Sequence, residues 1–222
     1  MKLYIISLMM LIFLSSFLFQ TRKKIIFFGD SITQAGVQPG GYITRIGELA
    51  NKEGLANKFE FIGAGIGGNK IYDLYLRMDD DVLSKNTDVV FIYIGVNDVW
   101  HKQSYGTGTD ADKFEKFYNA VIKKISAKGA QVILVTPAAI GERTDFSNQL
   151  DGDLNRYSNI IRSIAQQNGL KIIDLRNAFL SYNKQNNPEN KEQGILTTDR
   201  VHLNEKGNQL VADEFWKVIK NL

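Results

Sequence analysis

From residue 23 onward, short and wholly apolar runs alternate with longer stretches whose apolar residues recur every three or four positions. The short runs read as buried strands: Lys24–Phe28, Phe59–Ile62, Asp88–Ile94, Gln131–Thr136 and Lys171–Leu175. The longer stretches read as amphipathic helices. Tyr42–Asn51 is a short one. Ala111–Lys128 carries Phe114, Phe117, Tyr118, Val121, Ile122 and Ile125 on one stripe, with Thr109 as its expected N-cap. Leu154–Gln167 repeats the pattern with Leu154, Tyr157, Ile160, Ile161 and Ile164, and stops at Gly169. Asn204 is placed to cap a last helix that buries Val211, Phe215, Val218 and Ile219. Strands alternating with helices imply right-handed βαβ units and a parallel sheet covered on both faces. Five strands give a three-layer α/β/α domain, in which ligands bind outside the carboxyl ends of the strands. Two long polar stretches, Gly141–Asp153 and Tyr182–Asp199, are expected to form functional rims.

The first twenty residues break this pattern. They hold fifteen apolar residues and one charge, Lys2. Leu3–Phe19 is interrupted only by Ser7, Ser15 and Ser16, and Arg22-Lys23-Lys24 follows. This layout is that of a secretory signal peptide or an N-terminal membrane anchor. Residues 1–22 are therefore set apart from the domain of residues 23–222, and the protein is expected to be exported: periplasmic, secreted or anchored through residues 3–19. No A-x-A-like cleavage site is visible, and the basic cluster favours retention on the cytoplasmic side.

Composition narrows the chemistry. The chain has no cysteine, which excludes thiol nucleophiles, disulfides and cysteine-ligated metals. Only two histidines, His101 and His202, are available as a base. Asp79-Asp80-Asp81 lacks calcium-loop spacing and reads as a solvated helix end. A net charge of +3, with both signs scattered, does not favour nucleic acid. No metal or cofactor is expected.

Four segments at strand ends carry candidate chemistry. The first, Gly29-Asp30-Ser31-Ile32-Thr33, places a serine after the first strand; taken alone it is as well suited to a turn or helix cap. The second, Gly63-Ala64-Gly65-Ile66-Gly67-Gly68-Asn69, formally contains G-x-G-x-x-G. Its acid at the required distance, Asp88, begins the next strand instead of ending it, so a dinucleotide site is disfavoured. A glycine there lets a backbone N–H approach a developing oxyanion, or simply makes a turn. In the third, Gly95-Val96-Asn97-Asp98, the Asn97 amide is a further donor candidate. The fourth, Asp199-Arg200-Val201-His202, lets one turn present a carboxylate and an imidazole together, as a general base requires.

In this order the four segments resemble the blocks of the SGNH (GDSL-type) esterase/lipase family across residues 25–220. The resemblance implies a flavodoxin-like α/β/α fold and a Ser31–His202–Asp199 triad. It also implies an oxyanion hole of the Ser31 and Gly68 backbone N–H groups and the Asn97 side chain. Asp30 is expected near substrate, His101 as a substrate contact or a packing residue; Arg200, which stands where the family often has glycine, either narrows the pocket or binds an anionic group, or is a solvated surface side chain stacked on the last helix. The activity implied is hydrolysis of small acyl esters, acetyl above all, on a small-molecule or carbohydrate alcohol. The same triad would also serve an O-acetyltransferase of cell-envelope polysaccharide, a lysophospholipase or a thioesterase. The membrane is involved only through the N-terminal segment, and the oligomeric state is left open.

Overall fold

A computed structural model describes residues 21–222. The expected signal or anchor lies, but for its last two residues, outside the described residues. Among the described residues no helix is long and apolar enough to cross a membrane.

Five strands, β1 (Lys23–Gly29), β2 (Phe59–Gly65), β3 (Val89–Tyr93), β4 (Gln131–Val135) and β5 (Lys171–Ile173), form one parallel sheet in the order β2-β1-β3-β4-β5. This is the flavodoxin-like order, whose switch point lies between β1 and β3. Eight α-helices are described: α1 (Ser31–Gly36), α2 (Tyr42–Lys52), α3 (Ile71–Asp81), α4 (Val96–Ser104), α5 (Ala111–Ala127), α6 (Asp151–Asn168), α7 (Leu175–Asn186) and α8 (Glu205–Ile219). α2 and α8 pack together on one face of the sheet, and α3, α5 and α6 cover the other.

Central strands β1, β3 and β4 are apolar on both sides because helices cover both faces. Phe27 stacks on Phe91 at 5.5 Å, and Phe91 meets Phe215 of α8 at 5.0 Å. On the opposite face the Arg77 guanidinium of α3 lies 4.7 Å from the Phe28 ring centroid. The register matters for function. Gly29 pairs with both Gly65 and Tyr93, so β1, β2 and β3 end level and their loops leave from one edge.

Several boundaries differ from expectation. β2 runs on through Gly63-Ala64-Gly65, where α1 lies so close that a Cβ on Gly65 would sit 2.1 Å from the Gln34 backbone nitrogen. Only glycine lets the helix that starts at Ser31 settle there. Short helices α1 and α4 replace expected loops. β5 ends at Ile173, because the Asp174 carboxylate accepts from the Asn177 N–H at 3.2 Å and starts α7, which takes the first part of the expected Tyr182–Asp199 loop. The residue capping α5 is Asp110, not Thr109, and its side chain makes no cap bond. The Asn204 cap does form, accepting from Gly207 N–H at 2.9 Å.

Candidate active site

Ser31 follows the end of β1 as the first residue of α1. Asp30 caps that helix, its carboxylate accepting from the Ile32 N–H at 3.0 Å. The cap fixes the strand-to-helix corner and turns the serine outward. The hydroxyl of Ser31 lies 2.9 Å from His202 Nε2. On the other side of the ring, His202 Nδ1 is 2.7 Å from Asp199 Oδ2. Asp199 Oδ1 accepts from the backbone N–H groups of His202 (2.7 Å) and Val201 (3.1 Å). Partial burial pushes the Asp199 carboxyl up, but the His202 ring and these two N–H groups outweigh it and hold the group below its usual value. It is therefore an anion at neutral pH, and an anion at Nδ1 holds a proton there and leaves Nε2 as the acceptor facing Ser31. The turn is closed by a bridge between Thr197 and Leu203 and by the Thr198 N–H, which donates to the His202 carbonyl at 2.8 Å.

The loop after β2 passes beside the serine: a Cβ on Gly67 would lie 3.9 Å from that of Ser31. Gly68 adopts φ +76°, a backbone glycine accepts without strain, and its carbonyl accepts from Lys70 Nζ at 2.9 Å. Asn97, in the first turn of α4, is buried and donates its amide to the Asn69 carbonyl at 3.1 Å. Segments distant in the chain thus converge: Ser31, Gly68, Asn97, Asp199 and His202 occupy the rim above the switch point.

Two residues that brace this rim were not anticipated. Arg77 of α3 ties the first two blocks together. Its Nη2 donates to the carbonyls of Gly29 (2.6 Å) and Ala64 (3.1 Å), and its Nε donates to Asn69 Oδ1 at 2.7 Å. Asn69 in turn receives the Asn97 amide. Glu142, fully buried, accepts from the N–H groups of Ile195 (2.8 Å), Leu196 (2.6 Å) and Thr197 (2.7 Å), and so braces the chain that leads to Asp199. The only sequence signal for either was a charge beside a rim or motif segment.

The three expected substrate contacts fare differently. Asp30 is 2% exposed and engaged as a cap; burial, partly offset by the Ile32 N–H, pushes its carboxyl up to about 7. It is a structural acid and not a substrate contact. His101 stands on the rim against Tyr105 (4.8 Å) and near Gly68, with burial and then Lys70 lowering its pKa. The described residues put no carboxylate in contact with its ring, so it lacks the partner that His202 has. Arg200 has φ +81° and pairs with Glu192 at 2.9 Å. Thr33, the last residue of the first block, is buried and bonds the Tyr42 hydroxyl at 3.0 Å.

Among the described residues no cluster of three or more His, Asp or Glu side chains is arranged for a metal. The chemistry available is that of a hydroxyl, an imidazole, a carboxylate and converging N–H donors.

Comparison with known proteins agrees with this fold. The model of the GDSL-like Lipase/Acylhydrolase family matches residues 27–210. An acetylxylan esterase of Geobacillus stearothermophilus is 26% identical over 213 residues, covering 89% of this chain and 94% of the relative. An isoamyl acetate-hydrolyzing esterase 1 homolog of Homo sapiens is 22% identical over 214 residues, covering 89% and 81%. Among solved structures, the acetyl xylan esterase AlAXEase superposes with a TM-score of 0.87 at 65% identity, covering 88% of this chain and 99% of that one. The chain belongs to the GDSL-like Lipase/Acylhydrolase family and is a carboxylic ester hydrolase.

Proposed function

We propose that the protein is a serine esterase that removes acetyl groups from carbohydrate, with acetylated xylan as the leading substrate. The observation that carries the mechanism is the unbroken Ser31–His202–Asp199 hydrogen-bond chain, 2.9 and 2.7 Å long. A serine hydroxyl is a weak nucleophile until a base takes its proton. In this reading His202 Nε2 takes that proton as Ser31 Oγ attacks the ester carbonyl carbon. The oxyanion is met by the Ser31 and Gly68 N–H groups and by the Asn97 amide, whose second N–H remains after the bond to Asn69. His202 then protonates the leaving alcohol oxygen, and the acetyl group stays on Ser31. Water, deprotonated by the same imidazole, releases acetate and restores the hydroxyl. Asp199 stabilises the imidazolium in both halves.

The acetyl and carbohydrate assignments rest on similarity to proteins described as acetylxylan esterases, one of them 65% identical. An extracellular polymer would also suit the apolar segment of residues 3–19, which we read as an export signal or anchor. The test is a p-nitrophenyl ester series from acetate to octanoate, run beside acetylated xylan and lysophospholipid, with Ser31→Ala as control. The expected result is fastest turnover of acetate, acetate release from xylan, and loss of both in the variant. Preference for octanoate or lysophospholipid would overturn the reading.

A further inference from the structure

Beside the triad, between α4 and the two loops 136–150 and 187–204, lies a cleft of about 420 Å³. That is within the range of roughly 300–1,000 Å³ usual for small-molecule sites. Trp100 forms the wall next to the histidine, with its indole edge-on to the His202 ring at 6.4 Å. Arg143, Glu192 and Arg200 line it as well. Glu192 bridges the two guanidiniums, at 2.9 Å from Arg200 Nη1 and 3.7 Å from Arg143 Nη2.

These charges contribute little to stability. All three side chains are more than 40% exposed, and exposed ion pairs are weak. Arg200 moreover holds a left-handed backbone, φ +81°, which is strained for any residue with a Cβ. Its carbonyl is fixed there by the Gly141 N–H at 2.9 Å. Strain at a non-glycine residue within a triad turn points to a use for the side chain.

We propose that this cleft is the leaving-group subsite, that it holds a pyranose ring of the acetylated saccharide, and that Arg200 is its specificity-determining residue. The proposal rests on the acetyl-carbohydrate reading above. Its direction follows from the triad. The alcohol oxygen must receive its proton from His202 Nε2; Trp100, which lines the cleft, lies 6.4 Å from that ring, and Arg200, which also lines it, is two residues before His202 in the same turn, so the alcohol extends toward the cleft. Its chemistry suits a polyol. The indole of Trp100 supplies apolar surface for ring C–H groups. The guanidiniums donate to sugar hydroxyls, and the Glu192 carboxylate accepts from them. An alkyl chain laid there would strip water from three charges without replacing it. An aryl leaving group has no hydroxyls to use them.

The test compares kcat/KM on acetylated xylooligosaccharide with kcat/KM on p-nitrophenyl acetate in the full chain. Arg200→Gly suits the positive φ, and Glu192→Gln is isosteric, so each keeps the turn. In both, the saccharide-to-aryl ratio is expected to fall at least tenfold, mainly through KM. Deacetylated xylooligosaccharide should inhibit aryl ester hydrolysis competitively, and at least tenfold more weakly in Arg200→Gly. A ratio within twofold of wild type in both variants overturns the subsite. A wild-type enzyme that cleaves aryl acetate but no saccharide acetate overturns the underlying reading, and the subsite with it.

Discussion

Replacing Glu142 by glutamine isolates the contribution of one buried carboxylate to the loop that delivers Asp199. Both its oxygens are used: Oε1 accepts from the N–H groups of Leu196 and Thr197, Oε2 from that of Ile195. Glutamine can keep its carbonyl oxygen at the Oε1 position, but its NH₂ then faces the Ile195 N–H, donor against donor. Hydrogen bonds to a charged group are worth about 1.5–3 kcal/mol and neutral ones about 0.5–1.5 kcal/mol. Losing one and weakening two comes to about 3.5–6 kcal/mol. Relief of the cost of burying the charge returns part of this, for a net destabilisation of about 3 kcal/mol. For a chain of this size that is a fall in Tm of roughly 6–12 °C. The braced residues end two positions before Asp199, so kcat on p-nitrophenyl acetate should drop about tenfold as the Asp199–His202 contact loosens. Thermal unfolding and steady-state kinetics on the same preparation decide it. A Tm within 2 °C of wild type and kcat within twofold would refute the brace.

Other outcomes follow from the same geometry. His202→Ala should abolish ester hydrolysis, whereas His101→Ala should keep it within about tenfold, since a triad base supplies several orders of magnitude and a rim residue does not; full turnover in His202→Ala would sink the assignment. Asn97→Ala should lower kcat by about 10²–10³, the usual value of one oxyanion donor, with a smaller change in KM; equal kcat would remove Asn97 from the hole. Gly65→Ala places a Cβ 2.1 Å from backbone, so it should destabilise by about 1–3 kcal/mol and reduce kcat together, as measured by urea unfolding and initial rates. Burial pushes the carboxyls of Asp30 and Asp98 up to about 7 from 3.8. A folded-state value above the unfolded one means that their contribution is complete below 3.8 and is lost as the pH rises to about 7. Asp30→Asn keeps a cap acceptor and removes one titration. Across that window it should flatten the decline in stability by up to about 4 kcal/mol, at about 1.36 kcal/mol per pKa unit; an unchanged slope in urea midpoints would count against it.

What could be read from the sequence was whatever is written locally. β1, β3 and β4 stand out because a strand buried on both faces needs an unbroken apolar run. α5 and α6 stand out because one solvent face enforces a helical period. The end of β2 does not, because Gly63-Ala64-Gly65 has turn composition and is held in the sheet by pairing with Phe27–Gly29 of β1, a contact distant in the chain. α1 and α4 are hidden for a related reason. They are short, and their first turns carry Ser31, Asn97 and Asp98, whose placement serves the site and breaks the apolar period. The residues that converge on the rim, Ser31, Asn97, Asp199 and His202, were legible as types in an order. Arg77 and Glu142 were not, since each acts on backbone groups far away in the chain, and nothing local distinguishes them from the solvated charges around them.

The acids beside the reactive residues show how the motif divides its labour. Asp30 precedes Ser31, and Asp98 follows Asn97. An acid next to a nucleophile or an oxyanion donor invites a role at the substrate, yet both are buried and neither faces the rim. Asp30 caps the helix that Ser31 begins. Asp98 accepts from the Ile71 N–H at 3.2 Å and so fixes the start of α3, the helix that carries Arg77. Arg77 returns to the carbonyl of Gly29, immediately before Asp30. The pairs Asp30–Ser31 and Asn97–Asp98 therefore each join one residue for chemistry to one that anchors the loop bearing it. The contacts run from α4 through α3 to the end of β1. Raising the anchoring carboxyls to about 7 is the consequence of putting them inside the sheet edge, where water cannot compete for the N–H groups they hold. On this argument the short motifs fix backbone position as much as they supply reactivity.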